Sequence, residues 1–344
     1  MDAIRHHPCR SEALWRANAQ VRKTAESRLH RGCRRFEPGR AHVTTHVTKV
    51  IPLPLREVVA ALERLYPADT ASSWDRVGLV TGHLDQPVSL VYFAVDPTLA
   101  VIDEARAAGA DLLLTHHPLL LRGVHSVATT SAKGESVTSL IVNDIALYVA
   151  HTNADVASPG VCDALADACA LVEVTPLEVD PDTVAGHGRV GSLASPLSLR
   201  EFVQRLSEVL PQSAGGIRVA GPADATVSRV AVVGGAGDDK FEAVRASGAD
   251  VYVTADLRHH PALEAREEAR GGRPYLVDAG HWATEWLWLD SARSELLREL
   301  GGRGTSLETQ ICTLRTDPWD FVIGAASSDS TSDSKSDTTG GTTC

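Results

Sequence analysis

Asp111-Leu112-Leu113-Leu114-Thr115-His116-His117-Pro118 joins a short apolar run to two adjacent histidines. A run of this length, bounded by Gly109 and Pro118, reads as a strand buried on both faces of a largely parallel sheet. Such sheets bind ligands beyond the carboxyl ends of their strands, and the histidine pair falls at such an end. Within a regular strand neighbouring side chains point to opposite faces. Just past the strand, where Pro118 biases His117 away from helical geometry, both imidazoles can turn toward one cavity. A surface pair, or one ligand beside one hydrogen-bonding neighbour, is the plainer alternative.

Outward from this stretch the chain keeps an alternating rhythm. An amphipathic helix opens the core over 54–62, residues 88–95 read as a buried strand, and 97–108 as a helix closed by Gly109. A helix over 136–143 and a strand over 146–150 follow, the latter ending at His151; another helix follows Pro159-Gly160. Past Gly186, strands are expected at 188–193, 217–219, 227–233 and 251–254, with helices at 198–210 and 239–248. The alternation predicts an α/β fold. The segment Glu104–Asp111, then strand, then His-His-Pro is echoed by Ala243–Asp250, then strand, then His259-His260-Pro261. Two similar α/β lobes with a site in the cleft between them are therefore expected. We place lobe one at about 48–130 plus 255–322 and lobe two at about 131–254.

Two further clusters carry metal-ligand chemistry. His281 and Glu285 are four apart, so a helix starting near His281 puts both on one face. Asp155 adds a second carboxylate to the charge balance of two divalent ions. Imidazole and carboxylate suit zinc, iron, manganese, cobalt or nickel, an order the sequence cannot rank. His151 and Asn153 are expected to hydrogen-bond the site, and Asp96, at a strand end, to orient a histidine or a substrate. Arg258 and His259 are candidates for substrate anions, His260 for a proton donor, and Glu285 for a catalytic role beside its ligand role. Trp74 and Asp75 read as structural. The run Gly234-Gly235-Ala236-Gly237 could cradle phosphate, but it lacks the end of a P-loop, and a tight turn reads better.

Composition narrows the class. The 344 residues are 43 % hydrophobic and 22 % charged, with a net charge of -11, which argues against a broad nucleic-acid surface. Residues 1–50 hold eleven Lys or Arg against four Asp or Glu, so the rest is markedly acidic. The basic segment 1–47 is expected to be an unstructured extension or a mis-assigned start, with a functional arm the lesser reading. Residues 325–344, rich in Ser, Thr and Asp, are expected to be disordered. No apolar run is long enough to span a bilayer, and six widely spaced cysteines point to neither a disulfide framework nor a thiolate site. A cytoplasmic location is expected.

Taken together, Trp74-Asp75-x-Val77-Gly78-Leu79, Thr115-His116-His117-Pro118-Leu119, His151-Thr152-Asn153-x-Asp155, Ala255-Asp256-Leu257-x-His259-His260 and Asp278-Ala279-Gly280-His281-x-x-Thr284-Glu285 resemble the GTP cyclohydrolase 1 type 2 homologue family. These are also called the Nif-three-like dinuclear-metal proteins. The resemblance spans about 50–322 and implies two lobes with a two-metal centre between them. It also implies a toroidal homohexamer, a trimer of dimers, with sites facing its cavity. Matched motif by motif, His116, His117, Asp155, His281 and Glu285 would be the metal ligands. Some relatives insert a domain between the lobes; here the stretch 172–186 is too short for one. The function expected is a metal-dependent hydrolase using metal-bound hydroxide on a nucleotide or phosphate-bearing small molecule. A non-catalytic metal-binding or regulatory scaffold is the alternative.

Overall fold

The computed structural model describes residues 52–179, 186–301 and 307–324. The expectations for 1–47 and 325–344 fall outside these residues. In chain order the first part runs β1 (Leu53–Pro54), α1 (Leu55–Leu65), β2 (Gly78–Thr81), β3 (Pro87–Val88), β4 (Leu90–Ala94), α2 (Leu99–Ala108), β5 (Leu112–Thr115), α3 (Ala132–Val142), β6 (Ala146–Val149), α4 (Thr152–Val156) and α5 (Val161–Ala168). The second continues β7 (Leu171–Val179), β8 (Gly186–Ser198), α6 (Leu199–Val209), β9 (Arg218–Ala220), β10 (Thr226–Ala236), α7 (Phe241–Ala246), β11 (Val251–Ala255), α8 (His259–Glu268) and β12 (Tyr275–Asp278). It closes with α9 (His281–Trp286), α10 (Trp288–Leu300) and β13 (Glu308–Ile311). No helix among the described residues is long and apolar enough to cross a membrane.

Two large sheets organise these elements, beside a two-stranded antiparallel pair of β1 and β3. One has the order β13-β4-β5-β6-β2 and is parallel except for β2; the other has the order β7-β8-β10-β11-β12-β9 and is parallel only through β10, β11 and β12. Strand β5 shows why its sequence is unbroken Leu. Leu112 and Leu114 pack with α1 and α10 on one face, while Leu113 packs with α2 and α3 on the other. With both faces covered there is no solvent side to demand a polar residue. Strand β11 repeats the arrangement, Val251 and Val253 packing against α6 and Tyr252 against α7.

The sheets correct the lobe limits of 48–130 plus 255–322 against 131–254. Strand β6 pairs with β5 in the first sheet, and β11 and β12 both lie in the second. Lobe one is 53–168 completed by α10 and β13, and lobe two is 171–278. Alternation reveals strands but not their sheet; a helical crossover normally returns the chain beside the strand it left, as α3 does for β6.

The internal echo is structural. Gly109 and Gly248 close α2 and α7 with left-handed φ of 77° and 69°. Two residues later Asp111 accepts from Ser89 N and Leu90 N at 2.6 and 3.0 Å, and Asp250 accepts from Ser228 N and Arg229 N at 2.7 and 2.9 Å. Each carboxylate thus satisfies two consecutive amides on or beside the neighbouring strand. The lobes are tied by Arg189 of β8, a buried guanidinium that donates to both oxygens of Asp163 and to the carbonyls of Ala157, Gly186 and Gly188. This fixes the turn from α4 into α5 against lobe two.

Candidate metal centre

The strand ends meet in the cleft between the lobes. Past β5, His116 N donates to Ala94 O and His117 N to Val95 O, so the histidine pair prolongs the edge of β4 and its position is set by backbone pairing. His116 is fully buried, and its Nδ1 lies 2.9 Å from Ala150 O. A carbonyl only accepts, so Nδ1 carries the proton and Nε2 offers a lone pair. The Nδ1 of His117 lies 2.7 Å from Asp96 Oδ1, which fixes that ring in the same sense. Thr316, just beyond β13, donates to the other Asp96 oxygen.

Lobe two delivers the opposing groups. Gly280, at φ 84°, turns the chain out of β12 into α9, whose spacing puts His281 and Glu285 on one face. His281 Nδ1 meets Asp256 Oδ2 at 2.8 Å, repeating the carboxylate anchor of His117. Buried Glu285 then sits among three Nε2 atoms. Its Oε1 lies 2.9 Å from His281 and 3.5 Å from His116, and its Oε2 lies 3.2 Å from His117. Asp155, brought in by α4, places Oδ1 3.7 Å from His116 Nε2.

His116 Nε2, Asp155 Oδ1 and Glu285 Oε2 are buried with no hydrogen-bond partner, an arrangement native interiors tolerate rarely. Burial, reinforced by the nearby Glu285 charge, pushes the Asp155 carboxyl up to about 7. Burial works against charge on His117 and His281 as well, but the Glu285 carboxylate, with the Asp96 and Asp256 anchors, raises them to about 10 and about 11. Burial alone would raise Glu285; its imidazole neighbours, His117 foremost, hold it well below the usual carboxylate range. The Nε2 atoms of His117 and His281 stand 3.2 Å apart, a gap with room for one shared proton. Two groups could each hold an ion: His116, His117 and His151, and His117, His281 and Glu285, with ligand atoms inside 4.8 Å in each. His117 belongs to both. A neutral-imidazole and carboxylate donor set with buried, partnerless atoms fits a pair of borderline divalent cations.

The remaining expected residues divide. His151 is in the cluster, its ring 5.0 Å from that of His116 and 5.5 Å from that of His117, with Nδ1 held by Asp75 Oδ1 at 2.9 Å. Asn153 accepts from His151 N and donates to Tyr66 O, so it shapes the start of α4. Arg258 is exposed and its guanidinium is taken by Asp238. His259 and His260 are exposed on the first turn of α8 and pack on each other; among the described residues no hydrogen bond or ion pair joins them to the cluster.

Some contributors escape sequence reasoning. Asp75 and Asp256 anchor imidazoles from 76 and 25 residues away, and Thr316 braces Asp96 across 220. Gly235, at φ 66°, is the clearest: a Cβ there would lie 2.3 Å from Glu285 Oε1 and 3.3 Å from His281 Nε2. The glycine run makes room for the Glu285 carboxylate, while Gly235 N donates to Thr284 Oγ1. Its place after a strand and before a helix was the available signal, although that signal named phosphate or a turn.

Comparison with known proteins agrees with this architecture. Residues 53–318 match the model of the family described as Duf34/NIF3 (NGG1p interacting factor 3). A Streptomyces coelicolor protein named GTP cyclohydrolase 1 type 2 homolog is 51 % identical over 276 residues, covering 79 % of this chain and 95 % of the relative. The structure of a Bacillus cereus protein related to NIF3 superposes with a TM-score of 0.71 at 25 % identity, over 79 % of this chain and 99 % of that one. Reduced HcgD from Methanocaldococcus jannaschii gives 0.63 at 31 % identity, over 77 % and 100 %. With its two α/β lobes and its His and carboxylate groups gathered in the cleft, the chain belongs to the Duf34/NIF3 family.

Proposed function

We propose that this protein is a hydrolase dependent on two divalent cations, acting on a nucleotide or a related phosphate-bearing small molecule. The observation that carries the reading is the convergence of three inward Nε2 atoms on Glu285 and Asp155, with buried partnerless atoms among them. His116, His117, Asp155, His281 and Glu285 would hold the cations, whose identity among zinc, iron, manganese, cobalt and nickel is open. Bound there, the ions supply Lewis acidity toward water and toward the group under attack. Two carboxylates offset only part of a fourfold positive charge, so the site favours an anionic substrate.

The chain's own groups set the rest. Ala150 O, Asp96 and Asp256 hold the three Nδ1 protons outward, which keeps each Nε2 lone pair directed inward. Glu285, with an oxygen toward each lobe's histidines, fixes the lobes at one separation. His151, anchored through Nδ1 by Asp75, retains Nε2 to hold or accept a proton at the substrate; it takes the role the sequence suggested for His260. Arg258 and His259 remain candidates only for attracting a substrate anion at the rim. In this reading the protein works in the cytoplasm, and it assembles as the trimer of dimers that its family resemblance implies.

The name shared by its relatives suggests opening of the GTP ring by water as one version, and phosphoester hydrolysis is the other. The test is a substrate screen over GTP and phosphoesters with metal-reconstituted protein, run beside Glu285→Gln. Turnover by the wild type that Glu285→Gln loses supports the reading. A loaded wild type that turns over nothing, while Glu285→Gln still loses its metal, leaves the scaffold reading in its place.

A further inference from the structure

Trp74 stands beside the centre without belonging to the core. The residue is 57 % exposed, an unusual placement for one that contributes one of the largest apolar surfaces a side chain has. Its backbone, by contrast, is firmly held. Neighbouring Asp75 is buried and accepts from His151 Nδ1, Thr152 N and Thr152 Oγ1, at 2.9, 3.0 and 2.6 Å. Asp75 N donates to Ser72 O, and Ser72 N to Thr152 Oγ1, both at 2.9 Å. The turn is braced against α4 while the indole projects from it into solvent. Reading Trp74 and Asp75 alike as structural therefore suits Asp75 and does not suit Trp74.

The indole is also placed with respect to the site. Its centroid lies 5.9 Å from that of His151, at an interplanar angle of 78°. His151 in turn lies against His116 and His117, so one imidazole separates the indole from the ligand rings. Among the described residues His151 is its sole aromatic contact, and the edge-to-face geometry leaves indole surface unstacked. A substrate with an anionic end and a planar end would find both needs met: positive charge at the cations and an exposed aromatic wall beside them.

We propose that Trp74 is the platform on which the planar heteroaromatic ring of the substrate stacks, while its anionic end reaches the metal centre. This rests on the hydrolase reading for the class of substrate, but stacking is a binding property and can be measured apart from turnover. Stacking of a base on an aromatic side chain is worth about a 5- to 150-fold gain in binding.

The experiment is calorimetric titration of manganese-loaded full-length protein with guanosine 5′-monophosphate and with ribose 5-phosphate, which keeps the phosphate and lacks the base. The wild type is expected to prefer the nucleotide by about tenfold. Trp74→Ala should bring that ratio close to one, and Trp74→Phe should retain most of it, since an aromatic face survives. A wild-type ratio near one overturns the platform, as does a ratio that Trp74→Ala leaves unchanged. A change in oligomeric mass by light scattering, with the ratio retained, would overturn it too and make Trp74 a contact between copies. If the ratio behaves as expected while no substrate is turned over, the hydrolase reading falls and the platform stands.

Discussion

The dipeptide His-His followed by Pro occurs once in each lobe, and the two copies have opposite fates. In lobe one, His116 and His117 come directly after the last residue of β5, inside the cleft, with each Nδ1 anchored. In lobe two, Asp256, Leu257 and Arg258 intervene between β11 and His259, which carries the second pair onto the exposed first turn of α8. There the residue that follows the strand is Asp256, and it anchors the imidazole of His281. Duplicated scaffold features persist in both lobes, as the paired roles of Asp111 and Asp250 show. The ligand chemistry does not follow the duplicated residues. It follows the strand end, because only there do both sheets present groups to the same cavity.

Breaking this comparison gives the largest expected effect. His117→Ala should reduce bound metal from about two ions per chain to about one or fewer, whereas His260→Ala should leave it near two. Elemental analysis after dialysis decides, and equal losses would erase the distinction between the copies. Glycines provide the next contrast. Gly235→Ala drives a Cβ onto the Glu285 carboxylate, so metal affinity by chelator competition should fall by up to about a hundredfold. Gly109→Ala meets nothing within 4 Å and strains only a positive φ. It should cost about 1 kcal/mol in a urea melt and leave metal uptake untouched.

The third contrast is between proton and cation. Without metal, His117 of lobe one and His281 of lobe two are raised to about 10 and about 11, with space for one proton between them. That proton competes with the cation for the same lone pairs. Affinity should therefore weaken about tenfold for each unit that pH falls below the raised values, with about one proton released on loading. A pH-independent affinity between pH 8 and 9, above the range in which Asp155 titrates, would show that the two imidazoles do not hold a common proton.

Much of this site could be read from residue types alone. Histidines at a strand end, an aspartate after His-Thr-Asn and a His/Glu pair at helical spacing declare themselves locally, and the structure brings all five together. Of the anchors, Asp96 could be read from its place at a strand end, but Asp75 and Asp256 could not, because an aspartate that orients a histidine looks like any loop aspartate until the chain folds; Asp75 and His151 are 76 residues apart. Gly235 was visible as a glycine, but the group that needs the space, Glu285, arrives from 50 positions later. Lobe limits failed for a related reason. Strand β6 looks the same in sequence whichever sheet it joins, and its neighbour is decided by where α3 lets it return.

Helix α9 carries His281 and Glu285 and is followed within two residues by α10, whose Trp288, Leu289, Ala292 and Leu296 are buried with α1 in the core of lobe one. The chain thus leaves lobe two through its own ligand helix. An opening of the cleft between α9 and lobe one would carry Glu285 away from His116 and His117, and Trp282 and Ala283 of the same helix, packed in the lobe-one core, oppose it. With two ions bound as proposed, their loss and the breathing of the cleft would be one event seen by two probes. Amide exchange in α9 should report the rate at which the centre empties.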